Sequence, residues 1–163
     1  KGMVGHVAFA DPVCLDTAKI LNIATRKANA KVHDGGIYIC IEGPQFSTRA
    51  ESNVYRQWGA DIIGMTNVTE AKLAREAGIC YATLALITDY DCWKQDEAPV
   101  TLEAVLGIMH KNVETAQKVL KELVSEFNGN FNCACGSAAE NAIVTEPKKI
   151  SAQLNSDLSI LFE

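Results

Sequence analysis

Residues Ala60–Trp93 read ADIIGMTNVTEAKLAREAGICYATLALITDYDCW, and the order of patterns in this stretch decides the fold class. Asp61-Ile62-Ile63-Gly64 is a short apolar strand, and Met65-Thr66-Asn67 is the loop that leaves it. Val68 to Ala77 is rich in Glu, Lys and Ala and predicts a helix that Gly78 ends. Cys80 to Ile87 is a continuous apolar run and predicts a buried strand. Strands alternating with helices over so short a span predict an α/β fold with a largely parallel sheet. The last strand delivers Thr88-Asp89-Tyr90-Asp91-Cys92-Trp93, an acidic and aromatic run at a carboxyl end, where open α/β sheets place ligands. In an extended backbone Asp89 and Asp91 would point the same way. Such a pair can accept hydrogen bonds from an amino group and hold a proton for a leaving group. Spacing alone is met equally well by a solvated turn after a strand.

Upstream, Ile37-Tyr38-Ile39-Cys40-Ile41 predicts another buried strand after the turn Asp34-Gly35-Gly36. Glu42-Gly43-Pro44-Gln45-Phe46-Ser47 breaks that strand. Thr48-x-x-Glu51 is a capping box opening a helix to about Trp58, and its start offers backbone N–H groups to a ligand. Asp16 to about Asn29 predicts an amphipathic helix with Ala18, Leu21, Ile23, Ala24 and Ala28 on its apolar side. Residues 1–14, including His6, are irregular. Downstream of a polar run from Lys94 to Pro99, Thr101 opens the longest helix, whose apolar positions run from Val105 and Ile108 to Val124 and Phe127. Asn128-Gly129-Asn130 stops it. Pro147 suits a first helical turn, with Ile150, Leu154, Leu158 and Leu161 as the stripe of a final helix.

At 163 residues the chain is one domain's worth, and 48% apolar with 21% charged residues is a soluble, globular composition. A net charge of −5 with scattered Lys and Arg argues against a nucleic-acid partner. No apolar run approaches the roughly 18 residues of a membrane span, and no secretory signal opens the chain. Lys1-Gly2-Met3 reads as the inside of a larger protein. Of six cysteines, Cys14, Cys40, Cys80 and Cys92 are far apart in sequence, in or beside apolar segments, and Cys133 and Cys135 form a C-x-C. Buried small hydrophobes are the usual state of such thiols. No metal site is expected, because the C-x-C lacks a nearby second pair or His ligands. Disulfides would require an oxidising compartment or a hyperthermophilic cytosol. The sequence leaves the redox state of the six open.

Three segments, Ile41–Ser52 (IEGPQFSTRAES), Trp58–Ala82 and Thr88–Trp93 (TDYDCW), together resemble the 5′-methylthioadenosine phosphorylases of the trimeric purine nucleoside phosphorylase family. The resemblance is ordered and runs to about Phe127; the tail from Asn128 resembles the family less, and its C-x-C is associated with thermophilic archaeal members. It implies that residues 1–163 are the C-terminal portion of a single nucleoside phosphorylase domain, a three-layer fold with a central mixed, largely parallel twisted sheet flanked by helices. The N-terminal half, missing or separate, would hold most of the phosphate site.

The reaction it implies is phosphorolysis of 5′-methylthioadenosine to adenine and 5-methylthioribose 1-phosphate, with phosphate as co-substrate and no cofactor. The resemblance further implies a cytoplasmic homotrimer or hexamer, active only when assembled with the upstream half. Asp89 and Asp91 would be catalytic and base-binding. Asp89 would serve the purine N7, holding a proton near neutral pH through burial, and Asp91 would accept from N6 or orient Asp89. Phe46 and Ser47 would complete the base site, Met65 and Thr66 would meet ribose and phosphate, and Val100, Leu102, Val105 and Leu106 would line the 5′-substituent pocket, with His6 placed over it from a neighbouring subunit. Relatives that take 6-oxopurines have an Asn where Asp89 stands and a Glu where Ser47 stands. A hydroxyl at 47 and carboxylates at 89 and 91 match adenine, whose N1 accepts and whose N6 donates. Two other functions stay open at this point: a broader phosphorylase accepting adenosine or 6-oxopurine nucleosides, and a non-catalytic nucleoside-binding fragment.

Overall fold

The computed structural model describes residues 2–94, 101–140 and 142–161. The chain divides into two compact units, one formed by residues 1–19, 68–83 and 129–163, the other by residues 20–67 and 84–128. Among the described residues the α-helices are α1 (Leu15–Lys27), α2 (Arg49–Gln57), α3 (Asn67–Glu76), α4 (Leu102–Glu126) and α5 (Ala152–Leu158), and the strands are β1 (Tyr38–Cys40) and β2 (Ile62–Gly64).

The second unit carries the sheet. β1 and β2 pair in parallel with Tyr38 opposite Ile62, Ile39 opposite Ile63 and Cys40 opposite Gly64. The α2 connection between them is the crossover that parallel strands require. Asp61 fixes the register from outside the ladder: its Oδ2 accepts from the Ile37 amide at 2.7 Å while its own amide donates to the Ile37 carbonyl at 2.9 Å. α2 opens as its sequence predicts, on Thr48, with the reciprocal hydrogen bonds of a capping box to Glu51. The Thr48 amide and hydroxyl donate to Glu51 Oε2 at 2.7 and 2.8 Å. The Thr48 amide, and then its side chain, hold the Glu51 carboxyl below the usual carboxylate range. The box closes on itself, so these two residues use the groups that the helix start would otherwise offer a ligand. α1 is followed by Asn29 in the left-handed region at φ 56, a role Asn fills without glycine. A Lys27–Glu126 ion pair of 2.5 Å joins the ends of α1 and α4.

In the first unit, Gly5 and Ile143 form an antiparallel bridge, and the Val144 amide donates to the Val4 carbonyl. Small side chains fill the centre: Cys14, Ala71, Ala74, Cys135, Ala139 and Ala142 are all buried. Gly78 follows α3 at φ 65, and a Cβ there would lie 3.0 Å from the Gly136 carbonyl oxygen. That position therefore needs glycine both for its backbone and for the close approach of the tail.

Three expectations are corrected. Cys80–Ile87 is not a strand: it is laddered to neither β1 nor β2, and Leu86 and Ile87 are 42% and 55% exposed. Apolarity made it look buried, but a strand also needs a neighbouring strand to ladder with. Single bonds anchor the segment instead, among them the Tyr81 carbonyl accepting from the Cys14 amide. The stripe on α4 is covered only in part. Val119 is buried, whereas Ile108, Met109, Val113, Leu120 and Val124 are exposed. The final helix is broken in two: Pro147–Lys149 is a 3-10 turn, and Ser151 then caps α5 by accepting from the Leu154 amide.

Candidate active site

The residues singled out around the acidic run fall mostly in the second unit, on three loops. The loop after β1 carries Phe46 and Ser47, the loop after β2 carries Met65 and Thr66, and Thr88–Trp93 follows the apolar segment. The first and third are tied directly: Cys92 Sγ lies 3.5 Å from the Ser47 carbonyl oxygen and donates to it. The first and second are tied by a close approach at Gly43, whose φ is 71 and where an added Cβ would lie 2.6 Å from Met65 Sδ. Only glycine lets the methionine sulfur sit on that backbone. Ser47 is the chemically open member. Its hydroxyl is buried and has no hydrogen-bond partner among the described residues. Phe46, by contrast, is 85% exposed.

The acidic run does not take the extended shape that would align its carboxylates. The chain bends at Asp89 and turns at Asp91–Lys94, where the Lys94 amide donates to the Asp91 carbonyl at 3.1 Å. Each carboxylate has a local partner: the Thr88 hydroxyl donates to Asp89 Oδ2 at 2.6 Å, and the Cys92 amide donates to Asp91 Oδ1 at 2.8 Å. Asp89 is exposed and Asp91 half-buried. The burial that would let Asp89 keep a proton is therefore not supplied by these residues.

Supporting contacts that the sequence did not mark hold the run in place. The Arg56 guanidinium lies 3.8 Å from the centre of the Trp93 ring, and Trp93 packs edge-on against Tyr90 at 5.9 Å between ring centres. Asn112 of α4 donates to the Ile87 carbonyl at 2.9 Å, immediately before the run. A polar residue beside Ile108 and Val113, inside an apolar stripe, was the available signal for Asn112; nothing in the sequence marked Arg56.

Leu102 and Leu106 are exposed on the first turns of α4, with Val105 half-buried between them. Val100 lies outside the described residues. His6 belongs to the first unit, where it is exposed and its amide donates to the Ala142 carbonyl at 2.8 Å. The C-x-C, which lacks companions along the sequence, has them in space. Cys14 and Cys80 join Cys133 and Cys135, and the four sulfur atoms all lie within 4.8 Å of one another.

The family model of the phosphorylase superfamily matches residues 2–125, which takes in both strands and all three loops. The chain belongs to the phosphorylase superfamily. Within it, the chain is 48% identical over 161 residues to the S-methyl-5′-thioadenosine phosphorylase of Koribacter versatilis, covering 99% of this chain and 55% of that protein. The corresponding enzyme of Geobacter sulfurreducens is also 48% identical over 161 residues, covering 99% and 56%. Among solved structures, a methylthioadenosine phosphorylase from an Antarctic soil metagenomic library superposes with a TM-score of 0.92 at 46% identity, covering all of this chain and 58% of that one. A methylthioadenosine phosphorylase of Schistosoma mansoni in complex with adenine superposes with a TM-score of 0.73 at 34% identity, covering 86% and 57%. The chain thus spans little more than half the length of these superfamily relatives. No described helix is long and apolar enough to cross a membrane.

Proposed function

We propose that this chain supplies the purine-reading end of a phosphorylase that cleaves 5′-methylthioadenosine with inorganic phosphate, in the cytoplasm, as part of a homotrimer or hexamer. The observation that carries the reading is the convergence of the Ser47 loop on the acidic run, with a buried hydroxyl left without a partner among the described residues. A buried polar group of that kind is satisfied when a ligand meets it. Adenine N1, an acceptor, suits a hydroxyl donor there.

In the reaction a phosphate oxygen forms a bond to the anomeric carbon as the bond from that carbon to N9 breaks. The electron pair leaves with the base, and a proton reaches N7. The products are adenine and 5-methylthioribose 1-phosphate. The transition state is oxocarbenium-like at the sugar and anionic at the base. Asp89 is assigned the N7 side and Asp91 the N6 amino group. Phe46 would flank the base, and its exposure leaves the ring free to do so. Met65, seated on Gly43, would cover the ribose, and Thr66 would reach phosphate. The aliphatic residues Val100, Leu102, Val105 and Leu106 are assigned to the 5′ end, where an apolar wall accepts a thioether and leaves a hydroxyl unsatisfied, and His6 would reach that end of the sugar from a neighbouring subunit. Burial of Asp89 must come from the base and from the rest of the protein. The same remainder would supply most of the phosphate site and cover the apolar residues left open on α4.

The test uses the full-length protein and follows adenine release from methylthioadenosine with and without phosphate. Phosphate-dependent release is expected, with little hypoxanthine release from inosine, because a mismatched base leaves buried polar groups unpaired at roughly 1–3 kcal/mol each. No adenine release refutes the enzyme reading, and equal use of inosine refutes the adenine assignment.

A further inference from the structure

We infer that Cys14, Cys80, Cys133 and Cys135 form a tetrathiolate site for a thiophilic divalent cation of tetrahedral preference, Zn²⁺, in the first unit. Their sulfur atoms lie mutually within 4.8 Å, and Cys80 Sγ is 3.4 Å from Cys133 Sγ. A tetrahedral zinc with bonds of about 2.3 Å sets its sulfur ligands about 3.8 Å apart. The observed spread brackets that value. The four sulfurs form one mutual group rather than two separated couples, which is the arrangement a single central ion needs.

The backbone delivers each ligand independently. Cys14 precedes α1, and its carbonyl accepts the first helical bond from Ala18. Its thiol sits where the helix N-terminus favours negative charge. Cys80 follows the Gly78 turn, at which the Ile79 amide donates back to Ala74. Cys133 and Cys135 lie on a looped segment closed by the Ala138 amide donating to the Cys135 carbonyl. Gly136 packs its carbonyl against Gly78, which fixes the two ligand-bearing turns to each other. Cys14 and Cys135 are 3% and 7% exposed and Cys80 and Cys133 are half-buried, and four protein thiols fill all four positions, as in structural rather than catalytic zinc. Soft sulfur donors exclude Mg²⁺ and Ca²⁺.

Three of the four thiols depart from the ordinary value because they crowd one another. Burial raises Cys14, but Thr17, Cys133 and Cys80 lower it further, to about 7. Burial, then Cys133 and Cys14, push Cys80 up to about 12, and the same causes push Cys135 up to about 11. On binding, the protons still held by the four thiols pass to solvent as four Zn–S bonds form, leaving a net charge of −2 on the centre with no change of oxidation state. The ion would bind the start of α1, the end of α3 and the C-terminal tail into one unit whose other buried side chains are mostly alanine.

The test is elemental analysis of the full-length protein purified under reducing conditions without chelator. About one zinc per chain is expected, released by a mercurial that titrates thiols. Replacement by Co²⁺ should give the sulfur-to-cobalt charge-transfer band and the intense visible bands of a tetrahedral site. Cys80→Ser and Cys133→Ser should lower the zinc content to below about a tenth of an ion per chain, while Cys92→Ser, in the other unit, leaves it unchanged. The Co²⁺ spectrum of the unmodified protein decides the matter if the serine variants do not fold. Three results overturn the proposal: four free thiols with no zinc; disulfides, seen as the loss of a hydrogen pair per bridge in the intact mass, with no zinc; or zinc that survives loss of Cys80 and Cys133.

Discussion

Replacing Ser47 by alanine should move stability and catalysis in opposite directions. The Ser47 hydroxyl is buried and has no partner among the described residues of the ligand-free chain. A buried hydroxyl without a hydrogen bond costs roughly 1–3 kcal/mol, much of which alanine removes. The ligand-free variant should therefore be as stable as the parent or more stable, by up to about 1 kcal/mol. In the proposed complex the same hydroxyl would donate to the base, and its loss would forfeit a hydrogen bond worth about 0.5–1.5 kcal/mol net. At about 1.4 kcal/mol per decade, that is roughly a two- to twelvefold loss in kcat/KM for methylthioadenosine. Denaturant midpoints of the ligand-free full-length protein give the first quantity, and initial rates of adenine release give the second. The inverse result refutes the role given to Ser47: a ligand-free protein destabilised by more than about 1 kcal/mol with kcat/KM unchanged. That would mean the hydroxyl has a structural partner and never meets the base.

Four further outcomes are expected. Asp89→Asn should reduce adenine-nucleoside turnover while leaving the denaturant midpoint near that of the parent, since Asp89 is exposed and its carboxylate is held by its neighbour Thr88; equal losses would make it a structural residue. Gly43→Ala should cost about 1–2 kcal/mol for a left-handed backbone and displace Met65, raising KM for the nucleoside more than it lowers kcat; an unchanged KM would remove Met65 from the ribose. Glu51 has a lowered carboxyl, so its capping contribution is present above the unfolded value of about 4.3 and is lost as pH falls through the lower folded value. Amide exchange at Thr48 should accelerate over that acid window in the parent and show no such step in Glu51→Gln. In metal-free reduced protein, thiolate absorbance should show one step near pH 7 from Cys14 and none from Cys80 or Cys135 until about 11 to 12. Because Cys14 falls below and the other two rise above the ordinary thiol value of 9.0, stability from Cys14 is lost as pH falls through 7. Stability from Cys80 and Cys135 is lost as pH rises through their own values. Titration of Cys14, Cys80 and Cys135 together near 9.0 would mean that these three thiols do not sense one another.

What the sequence made legible follows from the range over which each signal acts. Caps, turns and helices are local: Thr48 with Glu51, Gly78 after α3 and Thr101 before α4 all act within a turn of themselves, and each lies where its residues predicted. Pairing and burial are not local. Cys80–Ile87 has the composition of a buried strand, but composition does not name the neighbour that must ladder with it, and neither described strand does so. The acidic run shows the same limit at smaller scale. A period-two argument aligned Asp89 with Asp91 only for an extended backbone, and the turn at Asp91–Lys94 removes that premise.

The cysteines carry the point furthest. Counting along the chain left Cys133 and Cys135 without companions, since Cys80 is 53 residues from Cys133. A metal site is a condition on distances in space, and the residues that bring those distances about are not the ligands. Gly78 admits the Gly136 carbonyl at 3.0 Å from where its Cβ would stand, and the amide of Cys14 is fixed to Tyr81 beside Cys80 at 2.7 Å. Taken singly, these are a helix stop and a loop hydrogen bond. Together they place four thiols within one ion's reach, so a search for such sites in a sequence should begin from the turns that force close approach as well as from the spacing of the sulfurs.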